Sequence, residues 1–228
     1  MNPQEIVLGS RSPQRRELLS LLMPQARIVV DAPRSSTEAS LVGLHDWPTI
    51  RTRLIEIARE KWTQVAQARK SFPASWLVTA DTTVVVETTA PQMSAASTQQ
   101  DWQRSTTLRA LEQPDPENWR AEVAKWFTNY YAGRTHWTAT AVCLGRSDAQ
   151  PGSDVVTTAV SMRPDVASWL PWYLSTEESR GKAGGYAIQG AGSLFVTLVE
   201  GSLSNVVGLP IERLSEMFRD QLASGHSP

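Results

Sequence analysis

The chain has 228 residues, 41% of them hydrophobic and 20% charged, with a formal net charge of −1. That length buries a sizeable core, as one large domain or two lobes sharing a cleft, and the near-neutral charge offers no basic field for a nucleic-acid polymer. No apolar run approaches the roughly 20 residues that span a bilayer, and a motif arrives by Gly9, too early for a signal peptide, so a soluble, cytoplasmic protein with no membrane partner is expected.

Ile6 to Leu8 read as a short buried strand, broken by Gly9 and Ser10. Ser12 is a good N-cap and Pro13 a good first helical residue, after which Leu18, Leu19 and Leu22 recur at helical spacing. Ser10, Ser12 and Arg15 therefore lie where a strand hands over to a helix N-terminus. Hydroxyls, free N–H groups and a guanidinium converging there suit an anion. An ordinary capped surface helix with solvated arginines would carry the same pattern.

Arg27 to Val30 read as a second strand, and Asp31 to Asp46 as polar and irregular. Trp47 and Pro48 open a long helix whose apolar stripe is Ile50, Leu54, Ile57, Ala58, Trp62 and Val65. Lys61 falls within that stripe, where it either snorkels at the edge or turns into a cleft. Leu77 and Val78 lead a buried strand that Thr83 to Val86 continue, with Asp81 in its middle. Aspartate has poor β propensity and is costly to bury unpaired. A turn between two strands would account for it. So would a carboxylate held at a strand end to bind a metal or activate water.

Thr88 to Thr107 is rich in Thr, Ser, Ala and Gln without periodicity, which predicts an inserted surface loop. Asp115 and Glu117 introduce a helix with Trp119, Val123, Trp126, Phe127 and Tyr130 on one face, stopped by Gly133. Strands follow at Thr135–Leu144 and Val155–Met162. The lone cysteine, Cys143, excludes an internal disulfide and a CxxC zinc site and is expected in the core. Asp165 reads as the cap of a helix running to Leu174. Phe195 to Leu198 is a further strand. Pro210 to Leu222 is the last helix, on Leu214, Met217, Phe218 and Leu222, and Gly225 to Pro228 is expected to fray. His45, His136 and His226 are scattered without metal-ligand spacing. The nine tryptophans are read as packing groups rather than base-stacking platforms. The alternation of strands and helices is α/β.

Two further segments stand out, "GKAGGYAIQGAG" from Gly181 to Gly192 and "SNVVGLP" from Ser204 to Pro210. Glycine permits close backbone approach and positive φ, and a lysine beside exposed N–H groups suits a phosphate. A tight turn between a helix and a strand would also be glycine-rich.

Taken together these segments resemble the Maf family of nucleoside triphosphate pyrophosphatases, first known as septum-formation inhibitors. The family's Ser-x-Ser-Pro-Arg-Arg motif reads here Ser10, Arg11, Ser12, Pro13, Gln14, Arg15. Its "RLAxxKA" helix is similar to "IEIAREKW", which places the family lysine at Lys61. Its "ADT" is Ala80, Asp81, Thr82, and its "SGRxH" resembles "AGRTH", Ala132 to His136. The two glycine-containing segments match its C-terminal signature.

The resemblance implies one Maf-like domain over residues 1–228, with an inosine triphosphatase-like mixed sheet flanked by helices and two lobes around a cleft. It implies hydrolysis of a nucleoside triphosphate between the α- and β-phosphates with a divalent cation, Mg²⁺ or Mn²⁺, and a possible homodimer. Asp81 would be the proton acceptor, with a possible share in metal binding. Ser10, Ser12, Arg15, Lys61 and Lys182 would face phosphates, and Gln14, Thr82 and Gln189 would select the substrate. Thr82 and Gln189 resemble the dTTP/UTP branch of the family, which favours pyrimidines, while Gln14 departs from it. A lysine of the family's "GKP" segment aligns with Gln113. The family glutamate near the second strand is matched to Glu38. With two cations lost from a site for a tetra-anion, the alternative is a nucleotide-binding regulator of cell division with little catalysis. Retention of Asp81 argues for the enzyme.

Overall fold

The computed structural model describes residues 5–33, 40–72, 75–91 and 104–224. Glu38, His226 and the expected frayed tail at 225–228 lie outside the described residues. Strand β1 (Glu5–Leu8) leads into helix α1 (Pro13–Leu22), capped as its sequence predicts: the Ser12 side chain accepts from Arg15 N, and Pro13 takes the first turn. Strand β2 (Arg27–Val30) follows, then helix α2 (Trp47–Ala68), whose cap is Asp46 accepting from Thr49 N. Strand β3 (Trp76–Pro91) and strand β4 (Arg104–Leu111) come next. Helix α3 (Trp119–Trp126) runs into a π-helical turn at Phe127–Tyr131. After strands β5 (Thr135–Arg146) and β6 (Gly152–Met162) come helix α4 (Val166–Ser175), strand β7 (Val196–Glu200) and helices α5 (Leu203–Val207) and α6 (Ile211–Ser224).

The strands form one mixed seven-stranded sheet in the order β2-β1-β3-β5-β6-β7, with β4 also paired to β3. β1 runs parallel to both β2 and β3, while the β3–β5, β5–β6 and β6–β7 pairs are antiparallel. The α/β expectation holds.

Alternation along the strands decides how the faces are covered. One face carries Val7, Leu77, Val85, Ala139, Ala141 and Cys143, and α2 packs its predicted stripe against it. The other face carries two separate clusters. In one, Ile6, Leu8, Val78, Ala80 and Val142 meet Leu18 and Leu19 of α1 and Leu214, Met217 and Phe218 of α6. In the other, Val84, Val86 and Leu111 meet Trp119, Val123, Phe127, Tyr131 and Phe195. Between them the same face carries Thr82 and Thr140, hydrogen-bonded to each other at 3.0 Å. A polar band thus separates two apolar lobes. Cys143 is fully buried, and burial pushes its thiol up to about 12, as suits a core residue.

Several expectations are corrected. The ends of the Thr88–Thr107 stretch are not loop: they continue β3 and β4 as a hairpin, with Thr88 opposite Thr107 and their hydroxyls 2.9 Å apart. Backbone ladders need no apolar alternation, so composition did not reveal them. Residues 92–103 lie outside the described residues. Asp165 takes the cap position of α4, but its carboxylate is drawn to Arg163 instead of the helix N–H groups. The last strand is Val196–Glu200, because Ala191–Phe195 coils into a 3₁₀ turn. Trp62, Trp119 and Trp126 are core groups as expected, whereas Trp169 and Trp172 are exposed.

Candidate active site

β3 organises the site through its edges. β5 pairs with one edge from Trp76 to Val85. The other edge takes β1 at Trp76 to Val78 and β4 from Val84 onward. From Thr79 to Thr83 no strand lies along that edge among the described residues. Asp81 is the centre of this opening. The described strands thus leave a break along this edge where β1 ends and α1 begins, a place where α/β folds expose backbone and helix N-termini to ligands.

α2 runs along β3 here. Thr79 Oγ1 donates to Ala58 O at 2.7 Å, and Lys61 Nζ donates to Asp81 Oδ1 at 2.7 Å. Two residues of strand rise about 6.7 Å and three of helix about 4.5 Å, and the long lysine side chain spans the difference between the two ties. The side chains of Lys61 and Asp81 are only 14% and 12% exposed. A carboxylate at that depth is costly without such a partner. The lysine in the apolar stripe is therefore turned inward.

Arg15 comes from the opposite face. Its guanidinium donates to Gly208 O at 2.8 Å, Ala80 O at 2.9 Å, Thr82 Oγ1 at 2.9 Å and Ser10 Oγ at 3.3 Å. It fills the bonding position that a neighbouring strand would have taken at Ala80, and it ties α1, β3 and the Ser204–Pro210 segment together. Ser10 Oγ also accepts from Ser12 N at 3.2 Å, and Ser12 Oγ donates to Gln14 Oε1 at 3.2 Å. The sequence-read motif is assembled, with much of its hydrogen-bonding capacity already spent within the protein. Asp81 and Thr82, adjacent in sequence, point to opposite faces of β3 and meet different partners.

The glycine-rich segment packs on the other lobe. Gly184 has φ 70°, and an added Cβ would stand 2.5 Å from Val84 Cγ2 and 2.8 Å from the Tyr131 hydroxyl. Both conformation and space therefore require glycine there. Gly184 O accepts from Tyr131 Oη at 2.7 Å, and Gly184 N donates to Glu112 O at 3.1 Å. Lys182 is half-buried at the start of this turn, while Gln189 and Gln113 are exposed. Gln113 adjoins Glu112 and so stands beside the segment that carries Lys182. His136 is buried beneath: its Nε2 is 2.7 Å from Tyr186 Oη, and burial holds the imidazole down at about 3. It serves the lobe's interior.

Three residues around the site were not singled out by the sequence. Glu112 accepts from Leu41 N at 2.6 Å and from Ser40 Oγ at 3.0 Å, joining the chain after β2 to the hairpin. Asn205 is buried and donates to Thr138 O at 3.0 Å and Thr158 Oγ1 at 2.9 Å, fixing "SNVVGLP" over β5 and β6. Its burial could have been suspected from its place in that motif. Glu178 accepts from Ala191 N at 2.6 Å and Gly192 N at 2.9 Å.

The Maf-like protein family model matches residues 5–221. The chain belongs to the Maf-like family. This Maf-like chain is 33% identical, over 94% of its length and 88% of the relative's, to a dTTP/UTP pyrophosphatase of an Anaeromyxobacter species. Proteins of the same name from Pyrococcus furiosus and Sphingopyxis alaskensis are 31% and 35% identical, over 91% and 90% of this chain and 90% of each relative. A solved nucleoside-triphosphatase / dITP/XTP pyrophosphatase from Mycobacterium abscessus aligns over 98% of both chains, with 11% identity and a TM-score of 0.38. Among the described residues of the Maf-like chain, no group of three or more His, Cys, Asp and Glu could hold a metal. Asp81 offers a carboxylate already paired with Lys61. Such a donor set fits a Mg²⁺-class ion held mainly by phosphate oxygens and water, the usual mode for that cation. No described helix is long and apolar enough to cross a membrane.

Proposed function

We propose that this protein is a nucleoside triphosphate pyrophosphatase acting on pyrimidine triphosphates such as dTTP and UTP in the cytoplasmic pool. The observation that carries this reading is the Lys61–Asp81 pair at the segment of β3 that has no described strand on its β1–β4 edge, in a Maf-like chain whose relatives bear that enzymatic name. The binding-only regulator is not favoured by those relatives.

In this reading Asp81 takes a proton from a water that attacks the α-phosphorus. The new P–O bond forms as the bond from the α-phosphorus to the bridging oxygen breaks, and that oxygen leaves with pyrophosphate. A divalent cation, when bound, supplies charge neutralisation on the phosphate oxygens. Lys61 orients the Asp81 carboxylate before substrate arrives, and its charge lies beside the phosphates afterwards. Lys182 brings a second cation from the other lobe. Arg15, engaged by four protein oxygens, acts by shaping the open edge and by placing Ser10 and Thr82, while its positive charge adds to the field. Ser12 and the α1 N-terminus complete the anion-facing side. Gln14, Thr82 and Gln189 set the substrate preference, with the Gln189 amide meeting the pyrimidine edge.

The test is product analysis across a panel of ribo- and deoxyribonucleoside triphosphates with Mg²⁺ or Mn²⁺. Monophosphate and pyrophosphate, fastest from UTP and dTTP, are expected. Orthophosphate with a diphosphate, or no turnover on any nucleotide, would overturn the reading.

A further inference from the structure

We propose that Glu178 is a positioning residue that holds Gln189 where it meets the nucleobase. The inference rests on the reading above, in which Gln189 selects the substrate. The carboxylate of Glu178 receives two consecutive backbone N–H groups, Ala191 N at 2.6 Å and Gly192 N at 2.9 Å. Both lie just after Gln189. Carboxylates bonded in this bidentate way to adjacent amides fix a turn in orientation as well as in place.

The space around this clamp is equally specific. An added Cβ at Gly190 would stand 1.9 Å from Glu178 Oε2 and 2.6 Å from its carboxyl carbon. Gly190 has φ −121°, which any residue can adopt, so what glycine provides there is room for the carboxylate in its present position. The Tyr173 hydroxyl adds a third tie, 3.2 Å from Gly185 O and 3.4 Å from Glu178 Oε1. Glu178 thereby joins the two ends of the glycine-rich segment, one near Lys182 and the other just past Gln189.

The chain leading into the clamp is also held. Glu177, with φ 58°, is the described non-glycine residue in the left-handed region. Such a backbone persists only where its surroundings impose it. Arg120 Nη2 at 2.7 Å and Arg180 Nη1 at 3.1 Å grip the Glu177 carboxylate. This turn after α4 sends the next side chain, that of Glu178, beneath the segment. Gln189 itself is exposed, and the backbone just after it is secured by Glu178.

The experiment measures kcat and KM for UTP and CTP with wild type, Glu178→Gln, Glu178→Asp and Gly190→Ala. An amide in place of the carboxylate loses one of the two acceptors. Glu178→Gln is expected to lower the UTP-over-CTP ratio of kcat/KM about tenfold, with KM for UTP carrying most of the change. Gly190→Ala, by displacing the carboxylate, should do the same, and Glu178→Asp should recover part of the ratio. A Glu that serves stability alone would lower the melting temperature or the active fraction, and neither alters a ratio. Folded variants with the wild-type ratio, or failure of both Glu178→Gln and Gly190→Ala to fold, would overturn the inference while leaving the proposed function standing. So would a wild type that turns over UTP and CTP alike. A wild type inactive on every triphosphate overturns both.

Discussion

Lys61 Nζ reaches Asp81 Oδ1 across 2.7 Å, from the inward face of α2 to the one stretch of β3 where a described neighbouring strand is missing on that edge. The pair joins a helix that covers the sheet to the point where the sheet opens. Replacing Asp81 by Asn keeps the shape and removes the proton acceptor. Loss of a general base typically costs about 10²–10⁴-fold in rate. Turnover of UTP by Asp81→Asn is expected to fall in that range, with cooperative unfolding retained. Near-wild-type kcat in the folded variant would take Asp81 out of its assigned role.

The two lysines should behave differently. Lys61→Met strips Asp81 of its partner at a site where both side chains are nearly buried. It is expected to impair turnover and also to destabilise by roughly 1–3 kcal/mol, the cost of a buried polar group losing its bond. Lys182 sits half-buried at the start of a turn. Lys182→Ala should weaken triphosphate handling with little change in stability. Urea unfolding and steady-state kinetics on both variants separate the two outcomes, and equal destabilisation would undo the distinction.

His136 makes stability depend on pH. Burial lowers its folded value from 6.5 to about 3. The unfolded chain therefore binds a proton that the folded chain refuses, and this contribution to stability is present above about pH 6.5 and lost as pH falls toward 3. The loss from one proton is at most about 1.4 kcal/mol per pH unit. Urea midpoints at pH 7, 5 and 4 should fall, and His136→Gln should fall less steeply. Parallel slopes in the two proteins would show that other groups carry the acid sensitivity.

Gln113 tests the cationic balance of the site. Its neighbour Glu112 bonds through O to Gly184 N at 3.1 Å, which puts Gln113 beside the glycine-rich segment. Gln113→Lys is expected to improve affinity or rate for triphosphates by roughly tenfold, equivalent to about 1.4 kcal/mol. The gain should shrink with added salt, since an exposed charge is screened. Unchanged kinetics at both low and high salt would mean that the side chain at this position does not reach the phosphates.

Much of this site is written in short-range pattern. The strand-to-helix step at Ser10–Pro13, the position of Lys61 within an apolar stripe, and the Asp81 within an apolar strand are all visible as periodicity or its violation. Each follows from what neighbouring residues can bury. The matched motifs also named the glycine-rich segment and the amides beside it.

What depends on chain segments far apart was not legible. Arg15 looked like an anion ligand, yet its bonds go to Ala80, Thr82 and Gly208, 65, 67 and 193 residues away. Thr88 and Thr107 looked like loop, yet their backbones pair across a hairpin. Glu178 carries no local signal of its role, since the two amides that converge on it lie 13 and 14 residues away. A side chain's type and local spacing determine whether it is buried and what it can donate or accept. Which acceptor it meets depends on which segments the fold sets alongside, and among the described residues the edge between Val78 and Val84 is open because β1 stops short of the place where β4 begins.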